Sequence, residues 1–119
     1  MSRLDHTEQL RRLALNDAGF SERCLRGGNP GSAELDPKTL ALVRLAALVA
    51  VGGSVPSFGA HADAAVSAGA TAAEIVDVVV GVVPTVGLPR AVAAAPKVGI
   101  ALGYDINVAS EDQSSDLHV

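Results

Sequence analysis

His61 is the side chain in this sequence best placed for proton chemistry, because Ser57 lies four residues before it and Ser54 seven before. On a helix that spacing puts all three on one face, with Ser57 within hydrogen-bonding reach of the imidazole and the trio along one side of a cleft. An imidazole that titrates near neutrality can accept or deliver a proton. Serine beside histidine is also the pairing of nucleophilic catalysis. No Gly-x-Ser-x-Gly elbow accompanies it, however. Asp63, two residues from His61, faces elsewhere on a helix and is a poor partner to orient the ring. The competing structural reading is a capped helix start followed by a partly buried histidine. His6 and His118 lie near the ends of the sequence, where exposure is expected. A lone histidine with no nearby cysteine and no His-x-x-x-His pair supplies too few ligands for a metal, so no metal site is expected. Cys24, the single cysteine, stands between Arg23 and Arg26 but has no resolving partner, which makes it a poor disulfide catalyst.

The elements that must carry these residues follow from local signals. Residues 3–16 read as an amphipathic helix with Leu4, Leu10, Leu13 and Ala14 on one face and Arg11 and Arg12 outside, ended by Gly19. A short second helix is expected over 21–26, opening at Ser21, and residues 27–32 have the composition of a surface linker. Asp36-Pro37 signals a helix start, and that helix should run to Val51 and stop at Gly52-Gly53. It is apolar nearly all round, which predicts a central, buried position. Arg44 is its only charge beyond the first turn; a guanidinium there either snorkels or pairs with a carboxylate, or it binds an anion in a pocket. Pro56 opens the helix that bears His61, with Gly69 after its end. Thr71-Ala72-Ala73-Glu74 is a capping box. The valine-rich run over 75–83 has strand-like composition but no two-residue alternation, while Glu74, Asp77 and Gly81 share one helical face, so the expectation is helix. Pro84 should end or kink it. A last helix is expected from Leu88 or Pro89 to about Leu102, with Pro96 as a kink or break.

The bulk properties bound the function. The 119 residues suit a single domain over 1–109, followed by a polar tail over 110–119 expected to be disordered. With 21 Ala, 16 Val and 13 Leu but only three aromatic rings, the core must be built from closely approaching helices, with further burial between subunits. So few rings leave no stacking platform for single-stranded nucleic acid, and a net charge of −4 argues against a phosphate-binding surface. Glu111, Asp112 and Asp116 supply most of that charge, so the folded body is nearly neutral. The sequence starts without the apolar run of a signal peptide, and its longest apolar stretch, Leu40 to Val51, is short for a bilayer and interrupted by Arg44. A soluble, cytoplasmic protein with no membrane partner is the expectation.

From Leu35 to Ile106 the sequence resembles the carboxymuconolactone decarboxylase family, which includes the alkylhydroperoxidase-D proteins. The resemblance is carried by Leu35-Asp36-Pro37-Lys38-Thr39-Leu40, by Gly59-Ala60-His61 with Ala64-Ala65, by Ala68-Gly69-Ala70-Thr71 with Glu74-Ile75, and by Pro84-Thr85-Val86-Gly87-Leu88-Pro89-Arg90-Ala91. Leu10-Arg11-Arg12-Leu13 with Asn16-Asp17-Ala18 is similar to the start of the decarboxylase branch. The resemblance implies an all-α, alkylhydroperoxidase-D-like helical bundle assembled as a homotrimer or hexamer. The peroxidase branch carries Cys-x-x-Cys-x-x-x-His, and the histidine of that pattern is His61 here. Ser54 and Ser57 occupy the two cysteine positions, and the position of the relay glutamate falls near Leu42. A hydroxyl cannot cycle through sulfenate and disulfide, so the resemblance disfavours peroxidase activity. It favours a cofactor-free lyase or isomerase acting on a small carboxylate or lactone, with His61 as the proton-transfer group. Arg44 would then neutralise a substrate carboxylate, a role taken from its charge and not from the resemblance. The alternative is a noncatalytic family member that binds a ligand or serves in assembly.

Overall fold

The computed structural model describes residues 5–27 and 34–104, which hold seven helices and no strand. They fall into two compact units, one within residues 1–36 and one from Pro37 onward. The positions expected to be disordered, 110–119, and His118 among them, lie outside the described residues, as do Leu4 and most of the linker.

The first unit holds α1 (His6–Ala14) and α2 (Ala18–Leu25). Asp5 caps α1 by accepting from the Glu8 amide at 2.8 Å, and Glu8 pairs with Arg12 at 2.8 Å one turn on. The helix ends before the expected position. Asn16 takes a positive φ of 53°, a conformation that asparagine tolerates better than most residues, and Asp17 immediately caps the next helix by accepting from the Phe20 amide. Gly19 therefore lies inside α2 and ends nothing, and α2 opens at Ala18 instead of Ser21. The apolar face proposed for α1 is present, but Leu10 and Leu13 are exposed and α1 has no buried residue. His6 is exposed.

The second unit contains α3 (Pro37–Val51), α4 (Val55–Ser67), α5 (Ala72–Gly81), the single turn α6 (Val83–Val86) and α7 (Leu88–Ala101). Each boundary has a local cause. Gly52, with φ 86°, stops α3 where expected. Ser54 caps α4, and Pro56 occupies its first turn. Gly69, with φ 105°, closes α4: the Gly69 amide bonds the Val66 carbonyl and the Ala70 amide the Ala65 carbonyl, the paired bonds of a Schellman turn. The valine-rich segment is helical as its pattern indicated, because the Thr71–Glu74 capping box forms in full. Pro84 lies in the first turn of α6, where its missing N–H costs nothing. Helix α7 continues through Pro96, so the break considered there does not occur.

The core joins Leu45 and Val49 of α3, Phe58 and Ala65 of α4, Ala70, Ile75 and Val79 around α5, and Ala94 and Val98 of α7. Helix α4 is the centre of the packing, against α7 and α3. The expectation that α3 is buried all round holds for one side alone: Leu45 and Val49 are sealed, whereas Val43 and Val51 are exposed. Helices α4, α5 and α7, with small side chains, enclose one stripe of α3 and leave the rest of its apolar surface uncovered in the single chain.

Glu74 ties two helix starts together. Its Oε1 accepts the Thr71 backbone amide at 2.9 Å, and its Oε2 accepts Lys38 Nζ of α3 at 2.9 Å. The Thr71 amide first, and then Lys38, hold the Glu74 carboxyl below the usual carboxylate range. A carboxyl depressed in the folded state contributes stability above its unfolded pKa and loses it as pH falls through the folded value. Replacing Thr71 by Ala should cost about 1 kcal/mol of stability, read from urea unfolding at neutral pH. Glu74→Gln should be less stable than the parent at neutral pH, and the gap should narrow as the solution is acidified; a constant gap would show that the carboxylate does not contribute through its charge.

Candidate functional site

The burial stripe of α4 decides what its neighbouring stripe can do. Phe58, Ala62 and Ala65 point into the core. The adjacent positions His61, Ala64 and Ala68 then turn toward the first half of α3, where Pro37, Leu40, Ala41 and Arg44 recur at helical spacing. Together they line a cavity of about 250 Å³. The opening exists because three of the facing residues are alanines, and its polar groups are an imidazole and a guanidinium. The structure thus brings His61 and Arg44, two of the four residues singled out in the sequence, into one concavity.

His61 is half-buried, and its Nδ1 lies 2.9 Å from the backbone carbonyl of Ser57. A carbonyl oxygen only accepts, so Nδ1 carries the proton and donates. The neutral ring therefore keeps Nε2 as its basic atom. Ser57 does orient His61, as the four-residue spacing suggested, but through its main chain and not its hydroxyl. That hydroxyl accepts a hydrogen bond from Ser54 Oγ at 3.1 Å, while Ser54 Oγ also accepts the Ser57 amide at 3.3 Å in capping α4. Neither serine lines the His61 cavity. Asp63 is exposed, in line with its helical offset. Cys24 is half-buried in α2 with a free thiol. Among the described residues, no group of three or more His, Cys, Asp or Glu side chains is placed to hold a metal ion.

Two cations that were not among the expected site residues, Arg90 and Lys97, sit elsewhere, at the α3–α4 junction. Arg90 Nη1 donates to the Val51 carbonyl at 3.1 Å, and Lys97 Nζ donates to the Gly53 carbonyl at 2.6 Å. Their seven-residue spacing, which puts them on one face of α7, was the available signal.

With this geometry in view, the comparison with known families is decisive: the model of the carboxymuconolactone decarboxylase family matches residues 19–98. The chain belongs to that family. No curated protein and no solved structure matches it. The match reaches from the start of α2 into the last turns of α7 and so includes both walls of the His61 cavity. The all-helical bundle is the fold expected of a carboxymuconolactone decarboxylase family member, and no helix among the described residues is long and apolar enough to cross a membrane.

The main-chain bond at Nδ1 has a direct spectroscopic consequence. Ring ¹⁵N shifts of neutral His61 should report the Nδ1-protonated tautomer, and Ser57→Ala should leave that tautomer in place, because the acceptor is the carbonyl. A switch to the Nε2-protonated form in Ser57→Ala would assign the orienting role to the hydroxyl instead.

Proposed function

We propose that this carboxymuconolactone decarboxylase family member is a cofactor-free lyase or isomerase acting on a small carboxylated or lactone compound. The reading rests on one observation above all: the imidazole of His61 and the guanidinium of Arg44 line the same small cavity. The volume of about 250 Å³ suits a compact metabolite more than an extended chain. In this reading Arg44 binds a substrate carboxylate and fixes the orientation of the carbon skeleton. His61 Nε2 takes a proton from carbon, and the electron pair left behind moves toward the neighbouring carbonyl. The imidazolium so formed returns the proton at a second carbon, which migrates a double bond; in a decarboxylation the pair that moves toward the carbonyl comes instead from the breaking C–CO2 bond, and His61, protonated from solvent, delivers the proton to the carbon that has released carbon dioxide. The bond from Nδ1 to the Ser57 carbonyl holds the ring in the tautomer this cycle needs and stabilises the imidazolium that forms within it. Ser54 and Ser57 position the start of α4 in this scheme. A peroxidase cycle is not supported, because both thiol positions carry hydroxyls and Cys24 has no partner cysteine in the chain.

The experiment is turnover of a panel of small carboxylated lactones, followed by carbon dioxide release or by ultraviolet absorbance. His61→Ala and His61→Gln should each lower turnover by about 10²–10⁴-fold with little change in melting temperature. Arg44→Gln should raise KM for carboxylated substrates. Peroxide consumption with a dithiol reductant should not exceed the reagent blank. Full activity in both His61 variants would make His61 a structural histidine and refute the proton-transfer role; no turnover of any compound in the panel would leave a noncatalytic, ligand-binding member as the better reading; and a robust peroxide rate lost in Cys24→Ser would overturn the assignment.

The assembly proposed is a homotrimer or hexamer. It is supported by the uncovered side of α3 and by Val76, Val80, Val92 and Ile100, all exposed on α5 and α7. Light scattering at micromolar concentration should report several subunits per particle; a monomer at every concentration would refute it.

A further inference from the structure

The cations at the α3–α4 junction line a second cavity of about 250 Å³, which shares no residue with the one that holds His61. Arg90 and Lys97 are two helical turns apart, so their Cα atoms are separated by about 10 Å along α7. Their charged ends nevertheless converge, because the carbonyls they bond belong to Val51 and Gly53, whose Cα atoms can be no more than about 7 Å apart. Lys97 Nζ also lies 6.0 Å from the centroid of the Phe58 ring. Neither cation forms an ion pair with a carboxylate among the described residues. Each spends one donor on a carbonyl, which leaves two N–H groups on the ammonium and four on the guanidinium. Two positive charges focused on one concavity, with no carboxylate set against them among the described residues, make a site suited to an anion.

The rest of the lining narrows its chemistry. Val49, Phe58, Ala93 and Ala94 add an apolar wall to the two charged groups. A bare inorganic oxyanion would leave that wall against water, whereas a carboxylate on a short hydrocarbon body satisfies both parts. Gly52 keeps the site open. A Cβ there would stand 2.7 Å from Arg90 Nη1, and the positive φ of 86° further selects glycine. We propose that this cavity is a binding site for a small organic monocarboxylate, held by Arg90 and Lys97 and separate from the His61 site.

The test uses the full ¹⁵N-labelled chain, titrated with sodium butyrate and, separately, with inorganic phosphate at matched ionic strength. Butyrate should shift the backbone amides of Gly52, Gly53, Ala93 and Ala94 saturably and more tightly than phosphate does. Added sodium chloride should weaken it through screening. Arg90→Gln and Lys97→Met should each raise the butyrate Kd by about tenfold or more, the usual weight of a charge-assisted hydrogen bond. Circular dichroism checks that both variants stay folded, and Lys97→Arg, which keeps the charge, should retain binding. Arg44→Gln should leave the Kd unchanged. The proposal fails if those amides do not respond to butyrate, if phosphate binds more tightly, if neither charge-removing variant weakens binding in a folded protein, or if Arg44→Gln abolishes it. These outcomes are independent of whether His61 proves catalytic.

Discussion

A core assembled almost entirely from alanine, valine and leucine has very little freedom in how it is filled, and Phe58 takes up most of what freedom there is. It is the largest of the fully buried side chains, at 1% exposure, and it shares its surroundings with Leu45, Val49, Ala94 and Val98 from the two helices that α4 packs on. Fixing one bulky ring at that point fixes the rotation of α4 about its own axis. The stripe through Phe58, Ala62 and Ala65 must face inward, and the stripe through His61, Ala64 and Ala68 is thereby committed to the gap beside α3. The same ring forms part of the wall beneath Lys97. The His61 concavity and the Arg90–Lys97 concavity are thus both downstream of one packing decision.

Where the sequence carried stereochemical punctuation, it was sufficient to place the elements. Asp36-Pro37, Gly52, Pro56, Gly69 and the Thr71–Glu74 box mark boundaries that the structure reproduces, because each acts within one turn and needs no tertiary information. The valine-rich segment is the instructive case. Its composition favours a strand, but a capping box at its start and a shared polar face outweigh that preference. Two departures from that punctuation also have physical reasons. Gly19 carries the residue type that commonly ends helices, but Asn16 can adopt the same left-handed conformation and does so three residues earlier. Pro96 removes one hydrogen bond without interrupting α7, so of the kink or break expected there the break is absent.

The site was legible in part. Helical spacing suffices to associate Ser57 with His61, but it cannot say whether a hydroxyl or a carbonyl makes the bond, because that depends on which acceptor the Ser54 cap leaves available. That Arg44 and His61 line one cavity depends on how two helices pack, and nothing local announces it. Arg90 and Lys97 are harder still: each looks like an ordinary surface cation until the carbonyls of the α3–α4 junction are seen to gather their charged ends.

The alanines of the His61 cavity have a meaning beyond the room they provide. Ala41, Ala64 and Ala68 line the opening, yet none belongs to the sealed interior: Ala64 is exposed, and the other two are only partly covered. A methylene added at any of them occupies space that a guest molecule would otherwise fill, without overpacking the buried stripe one position away. In the proposed function, selectivity for guest size is therefore adjustable in small increments at these positions. Under that function, exchanging side chains at these positions would change which small molecule fits, while the ring at position 58 keeps the scaffold unchanged.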